Sequence, residues 1–200
     1  MRNRSVGYLL PSMLPRFVLR KLGLLAICLG ALPVWAQQPG SILQVLSPPA
    51  GGPQEAAAMG FSVAMNASYT VAGAPFDDTG GQDSGVVKVF DTSSGQLLHI
   101  LKNPTPGASD QFGNAVAISG SRVVVGCYLD DADAVNTGIA YVYDLAGSSP
   151  TTPLHTIRNP VPAASDQFGF SVAISGQRVA VSANLDDAAK QVVVPLPRRT

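Results

Sequence analysis

The sequence predicts an all-β fold built from repeated antiparallel sheets, and three observations favour it. A segment of about fifty residues recurs along the chain. Glycine (20) and proline (16) are frequent among the 200 residues while only 13% are charged, too rich in turn formers for a helical bundle and too apolar for a disordered chain. Within the recurring segment, short runs of β-branched and aromatic residues alternate with turn sequences, and helical periodicity is absent.

Residues 1–36 have the pattern of a secretory signal peptide. Five basic residues and no acidic one lie in residues 1–21, and the apolar run Leu22–Leu32 that follows is shorter than the roughly 20 residues needed to span a bilayer. Val34 and Ala36 stand at the two positions that a signal peptidase reads, so we expect cleavage after Ala36. The alternative is an uncleaved N-terminal membrane anchor.

The predicted mature part is acidic, with eight basic and thirteen acidic residues from position 37 onward. This balance argues against a nucleic-acid partner, because little positive charge is available to neutralise phosphates. No apolar run in this part approaches the length of a membrane span. Removal of the signal peptide would also remove Cys28, leaving Cys127 as a single thiol that we expect to be a small buried apolar residue.

Internal repetition organises the rest of the chain. The stretch Ser109–Gly120 recurs as Ser165–Gly176 at an offset of 56 residues, and Met59–Met65 is a more diverged copy, 53 residues before its counterpart. The predicted divisions are an N-terminal segment 37–58 with a candidate outer strand at Ile42–Leu46, repeats at 59–111 and 112–167, and a partial repeat at 168–200 with a divergent C-terminus. An Asp pair follows each copy at a matching distance, namely Asp77-Asp78, Asp130-Asp131 and Asp186-Asp187.

Four strands are predicted in the repeat 112–167. They are Val116–Ile118, Arg122–Gly126, Gly138–Asp144 and Leu154–Arg158. The connection 119–121 is short enough for a hairpin, and Pro160 ends the fourth strand because proline lacks a donor for the ladder. Four antiparallel strands per repeat of this length are typical of a β-propeller blade.

The predicted propeller is incomplete. The sequence contains about two and a half to three repeats, fewer than the roughly four to eight blades that close a ring. Residues 190–200 match neither earlier copy, although Gln191–Val194 can serve as a third strand. A truncated or frame-shifted gene product and a short natural protein are both open interpretations. We expect the unpaired sheet edges to produce an open arc or ring closure by self-association.

Two sequence motifs resemble the FG-GAP repeat. They are Phe112-Gly113 with Phe168-Gly169, and Gly73-Ala74-Pro75. The resemblance covers residues 42–188 and implies a propeller like that of integrin α-subunits and of many bacterial secreted and surface proteins. The second and third repeats depart from Gly-Ala-Pro, with Gly126-Cys127-Tyr128 and Ser182-Ala183-Asn184. We interpret these departures as weaker turn sequences with the strands retained.

The resemblance implies a calcium loop between the first and second strands, but this sequence does not carry it. The connections 66–68, 119–121 and 175–177 have no carboxylate, whereas calcium needs about six to eight oxygen ligands. Asp130, Asp131 and Asp133 are the remaining calcium candidates, and turn capping by their side chains is the favoured alternative. We therefore expect no metal and no other cofactor.

No catalytic residues are predicted. His99 and His155 lie at equivalent positions of two repeats, which favours a shared structural role. Phe112 and Phe168 are expected to pack between blades.

The expected function is that of a non-enzymatic secreted or cell-surface protein, a scaffold or adhesion-type module that binds an extracellular protein or glycan through loops at one face of the blades. Two alternatives stay open: a fragment of a propeller enzyme acting on polysaccharide, and a non-functional truncated product.

Overall fold

The computed structural model describes residues 57–187 and 191–196. The predicted signal peptide with its cleavage after Ala36, and the candidate strand Ile42–Leu46, lie outside these residues. The described residues contain strands and turns and no α-helix, so the all-β prediction is confirmed. None of these residues belongs to a helix that could cross a membrane.

Within residues 57–187 and 191–196, eleven strands form three antiparallel sheets, which we call blades 1, 2 and 3. In each blade the spatial order of the strands is their order in the chain. Blade 1 consists of β1 (Ser62–Met65), β2 (Tyr69–Ala74), β3 (Val86–Asp91) and β4 (Leu97–Lys102). Blade 2 consists of β5 (Val116–Ser119), β6 (Arg122–Cys127), β7 (Ile139–Asp144) and β8 (His155–Arg158). Blade 3 consists of β9 (Phe168–Ser175), β10 (Arg178–Ala183) and β11 (Gln191–Pro195).

The third strand of blade 3 forms although its sequence departs from the repeat. β11 pairs with β10 in the register Val179↔Val194 and Val181↔Val192. Val192 and Val194 also pack against the core that blade 3 shares with blade 2. Alternation of side chains and β-branched residues are therefore enough to continue the sheet, although the sequence of β11 differs from those of β3 and β7.

The first core lies between blades 1 and 2. Val87 and Val89 from blade 1 meet Val123 and Val125 from blade 2 in a cluster of buried side chains. Phe112, fully buried, fills the space beside Tyr143, with ring centroids 6.3 Å apart and the rings at 84°. An edge-to-face pair of this kind adds about 0.5–1.5 kcal/mol to the burial of the two rings.

The second core repeats this arrangement between blades 2 and 3. Val124 and Val142 from blade 2 pack with Val179 and Val181 from blade 3, and Phe168 takes the place that Phe112 has in the first core. Every residue of β6 and β7 is consequently buried, because one face of blade 2 meets blade 1 and the other meets blade 3. Burial on both faces explains the nearly continuous apolar runs in these strands.

Backbone contact between glycines sets the distance between neighbouring blades. A Cβ at Gly73 would lie 2.0 Å from the carbonyl oxygen of Gly113, and a Cβ at Gly126 would lie 2.1 Å from that of Gly169. Neither separation is compatible with a side chain. The Gly of the Phe-Gly pair therefore sits directly on the glycine of the preceding blade, at both junctions.

Replacing Gly126 by alanine tests this contact. The new Cβ would push blades 2 and 3 apart, and we expect the free energy of unfolding to fall by about 3 kcal/mol. Gly120→Ala is the control, since no atom lies within 4 Å of a Cβ there and only its φ of +60° opposes the substitution, at a cost of about 1 kcal/mol. Urea unfolding compares the two, and equal losses would contradict the close-contact explanation.

Candidate functional site

The loops at one end of the blades form the most elaborate polar region of the described chain. Because the strands are antiparallel, the β2–β3 and β6–β7 loops and the connections from one blade to the next all lie at the same end. We call this the loop end. The tight hairpins β1–β2 and β5–β6 lie at the opposite end.

Backbone hydrogen bonds join neighbouring segments of the loop end. The amide of Ser109 donates to the carbonyl of Gln82 (2.7 Å), and the amide of Gln111 donates to that of Asp83 (3.0 Å). Ser109 and Gln111 have φ values of +66° and +55°. Such left-handed conformations cost about 1–3 kcal/mol each in non-glycine residues, so surrounding contacts must hold them.

The next junction repeats the same pattern. The amide of Ser165 donates to the carbonyl of Val135 (2.8 Å), and the amide of Gln167 donates to that of Asn136 (3.2 Å). Ser165 and Gln167 again have positive φ values, +67° and +57°. The loop end is thus an ordered surface produced twice by one local sequence, Ser-Asp-Gln.

The aspartate in the middle of this motif is buried and holds the connection between blades. The Asp110 carboxylate accepts hydrogen bonds from Asn103 Nδ2 (2.7 Å) and from the amide of Gly107 (2.6 Å). At the equivalent place, Asp166 accepts from Asn159 Nδ2 (2.8 Å) and from the amide of Ala163 (2.7 Å). These bonds satisfy carboxylates that are largely removed from solvent.

Asp110, Cys127 and Asp130 converge at the junction of blades 1 and 2. Their potential ligand atoms lie within 4.8 Å of one another, and all three residues are buried. The Cys127 thiol donates to the backbone carbonyl of Asp110 (3.3 Å), and an Asp130 carboxylate oxygen accepts from the amide of Ala132 (2.8 Å). A shallow cavity of about 270 Å³, lined in part by Asp110, Asp130 and Asp131, opens beside them.

Burial dominates the electrostatics of this cluster. It raises the pKa of Asp130 to about 6, with the charge of Asp110 adding to the effect. Burial likewise raises the pKa of Asp110, and it raises that of the Cys127 thiol well above its ordinary value, with Asp130 contributing. The thiol is therefore protonated and a hydrogen-bond donor at neutral pH.

The structure does not bring the three calcium candidates together into one group of ligand atoms. Asp130 lies in the buried cluster, while Asp131 Oδ1 accepts the amide hydrogen of Asn136 (2.7 Å) and closes a turn. Asp133 forms a surface ion pair with Arg158 at 2.8 Å. Among the described residues, the group of three or more ligand-type side chains contains Asp130 but neither Asp131 nor Asp133.

The predicted motif residues lie at the blade junctions. Phe112-Gly113 enters β5 and Phe168-Gly169 begins β9, and all four residues are buried. Gly73 and Ala74 end β2 with Pro75 directly after, also buried. His99 and His155 lie on the outermost strands β4 and β8, away from the cluster. The main feature that the sequence analysis missed is the buried Asp110, although its recurrence as Asp166 within Ser-Asp-Gln was a usable signal.

The sheet order and the repeated junctions define a protein built from β-propeller blades. Residues 105–143 and 158–192 match the family model described as "FG-GAP repeat". These two segments therefore match the FG-GAP repeat, as Phe112-Gly113 and Phe168-Gly169 predicted.

Among solved structures, the chain is similar to the β-propeller domain of Cps50 (Swd1) from Myceliophteria thermophila, with 13% sequence identity and a TM-score of 0.42. That similarity covers 68% of this chain and 38% of the propeller domain, so the chain spans well under half of it. No curated protein matches the chain.

The raised pKa of Asp130 predicts a pH-dependent contribution to stability. Its value of about 6 in the folded protein lies above the ordinary 3.8, so the folded state binds more protons between these values and loses stability as the pH rises through that window. The free energy of unfolding of the wild type should fall by about 1 kcal/mol more between about pH 4 and about pH 7 than that of Asp130→Asn. This figure is smaller than the full pKa shift implies, because the cavity beside Asp130 is open to solvent.

Urea unfolding of both proteins at about pH 4 and about pH 7 measures that difference. Asp133→Asn is the control, because Asp133 lies in an exposed ion pair. Parallel pH profiles for the wild type and Asp130→Asn would contradict the assignment.

Proposed function

We propose that the chain is a secreted, non-enzymatic binding module whose ligand, an extracellular protein or glycan, is recognised by the loop end of the blades. The observation that carries this proposal is the backbone hydrogen bonding between neighbouring loops, which fixes them before any ligand arrives. A preorganised surface loses less conformational entropy on binding than mobile loops do. Secretion is proposed from the signal-peptide pattern of residues 1–36.

Exposed apolar side chains on this ordered surface support a binding role. Val135 in the β6–β7 loop is 63% exposed, and Val161 and Leu185 at the same end are also exposed. Val135 and Leu185 have polar neighbours in the chain, Asn136 and Asp186, an arrangement that suits a partner with both apolar and polar groups.

The buried state of the carboxylates supports a non-enzymatic role. Asp110 and Asp130 each accept a hydrogen bond from a backbone amide of their own loop, which favours a structural role for these two carboxylates. A glycoside hydrolase needs two carboxyl groups placed on either side of a bound sugar.

A loop-end variant with an outer-strand control tests the proposal. The mature chain from residue 37 is applied to arrays of glycans and matrix proteins, with and without calcium, and a positive ligand is titrated. We expect Val135→Glu to weaken binding at least about tenfold, because it adds a charge to the contact surface. Leu98→Glu, on the outer strand β4, should leave affinity unchanged.

Two results would contradict the proposal. One is the absence of binding across both arrays by a chain that unfolds cooperatively. The other is equal loss of affinity in the two variants, which would place the contact away from the loop end.

A further inference from the structure

An exposed aromatic ring lies at the loop end, where blade 3 meets blade 2. Phe170, in the first part of β9, is 44% exposed, although Phe168 and Gly169 directly before it are buried. Its ring packs against that of Tyr128, the residue that follows β6, with centroids 5.6 Å apart and the rings at 84°. Tyr128 therefore supports one side of Phe170 in an edge-to-face pair, and much of Phe170 remains open to solvent.

A glutamine side chain is held beside this aromatic pair. The Tyr128 hydroxyl donates to Gln111 Oε1 at 3.0 Å. The backbone of Gln111 is fixed as well, because its amide donates to the carbonyl of Asp83. Within the described part of the chain, the Nε2 group of Gln111 has no hydrogen-bond acceptor. Its two N–H donors are therefore available to a ligand, while the oxygen keeps the amide in place.

The next repeat holds its own glutamine in the same way. Gln167 is the equivalent of Gln111, and Asn184 is the equivalent of Tyr128. Asn184 Nδ2 donates to Gln167 Oε1 at 3.4 Å, and the carbonyl of Gln167 accepts from the amide of Phe170 at 3.2 Å. Gln111 thus contacts the aromatic pair directly, and Gln167 is joined to Phe170 through the backbone.

We call Gln111, Tyr128 and Phe170 the aromatic–amide group, and its contacts within the described residues involve only neutral groups. Asn114 Nδ2 donates to the carbonyl of Phe170 at 3.0 Å, and the other hydrogen bonds run to an amide side chain or to the backbone. Burial, with no contribution from a neighbouring charge, raises the pKa of the Tyr128 hydroxyl. The group therefore suits an uncharged ligand.

The chemistry of the group narrows the ligand further. An aromatic ring favours contact with an apolar surface, and amide N–H groups need hydrogen-bond acceptors such as hydroxyl oxygens. A hexopyranose with equatorial hydroxyls offers both. Its axial C–H bonds make the two faces of the sugar ring apolar, and its hydroxyls project from the edge.

Blade 1 shows which part of this arrangement is absent from the first repeat. Phe61 is the equivalent of Phe170, is 60% exposed and packs against Phe76 with centroids 5.9 Å apart. The residue equivalent to Gln111 is Ala58, whose φ of +50° is close to the +55° of Gln111. An aromatic pair and the same backbone conformation are thus present there without the amide.

We propose that the aromatic–amide group binds a neutral hexopyranose unit of a glycan, an inference that rests on the loop-end binding proposed above and narrows its ligand to a sugar. One apolar face of the sugar stacks on the exposed ring of Phe170. The Nε2 group of Gln111 donates to a hydroxyl at the edge of the sugar, and Tyr128 fixes the position of both partners.

Saturation-transfer NMR on the mature chain from residue 37 tests the site, with cellotetraose and N-acetylchitotetraose as probes. Irradiation of the aromatic protons should transfer saturation to the C–H protons of at least one probe. In Phe170→Ala the dissociation constant should rise at least about tenfold, because the stacking surface is lost. Phe61→Ala is the matched control and should bind like the wild type. A heparin tetrasaccharide should bind more weakly than the neutral probe, because the group has no cationic side chain.

A second variant separates hydrogen bonding to the sugar from aromatic stacking. Gln111→Glu keeps an acceptor for the Tyr128 hydroxyl but removes the N–H donors, so it should weaken binding at least about fivefold. Gln82→Glu adds the same charge at the loop end outside the group and should leave affinity unchanged. The urea midpoints of these two exposed or half-buried variants should match that of the wild type, so this comparison holds even if Phe170→Ala does not fold.

The outcomes distinguish this inference from the loop-end function on which it rests. No transfer to either probe by a chain that unfolds cooperatively would overturn the sugar site. Equal losses in Phe170→Ala and Phe61→Ala, or in Gln111→Glu and Gln82→Glu, would overturn it as well. If a matrix protein binds instead and Val135→Glu abolishes that binding, the sugar site fails and the loop-end function stands.

Discussion

The contact of one glycine carbonyl with the Cα of another is the constraint on which the arrangement of this protein depends. It occurs between Gly113 and Gly73, and again between Gly169 and Gly126. Because the backbones touch, neighbouring sheets come close enough at their inner strands for one buried phenylalanine to complete the core at each junction. The separation of the blades is therefore set by backbone atoms, which cannot change rotamer, rather than by side chains, which can.

The same contact determines the order of the loop end. With the sheets fixed at their inner strands, the connection between blades runs alongside the preceding β2–β3 or β6–β7 loop and forms backbone hydrogen bonds with it. This path requires left-handed backbone conformations at the serine and glutamine of Ser-Asp-Gln and the burial of the Asp110 carboxylate, and both are unfavourable in free energy. Hydrogen bonds from Asn103 and Gly107 offset them. Both the packing of the core and the order of the loops thus depend on the same glycine contact between blades.

Much of the fold could be predicted from the sequence, because repetition shows where the same structure must form again. The strands of the second repeat and the inward position of Phe112 follow from the pattern of apolar residues and turns. The structural role of Gly-Ala-Pro was not predicted. We interpreted its replacement by Ser182-Ala183-Asn184 as a weaker turn, whereas the glycine in fact serves contact with another blade. The gathering of Asp110, Cys127 and Asp130 was also not predictable, since it depends on a loop of one repeat meeting the strand of the next.

The sheltered position of Cys127 has a chemical consequence for a protein proposed to work outside the cell. Its sulfur is fully buried, points at a backbone carbonyl and stays protonated. A thiol in this state reacts slowly with disulfides and peroxides, since the thiolate is the reactive form. An oxidising compartment would therefore leave the folded chain without covalent cross-links through this residue.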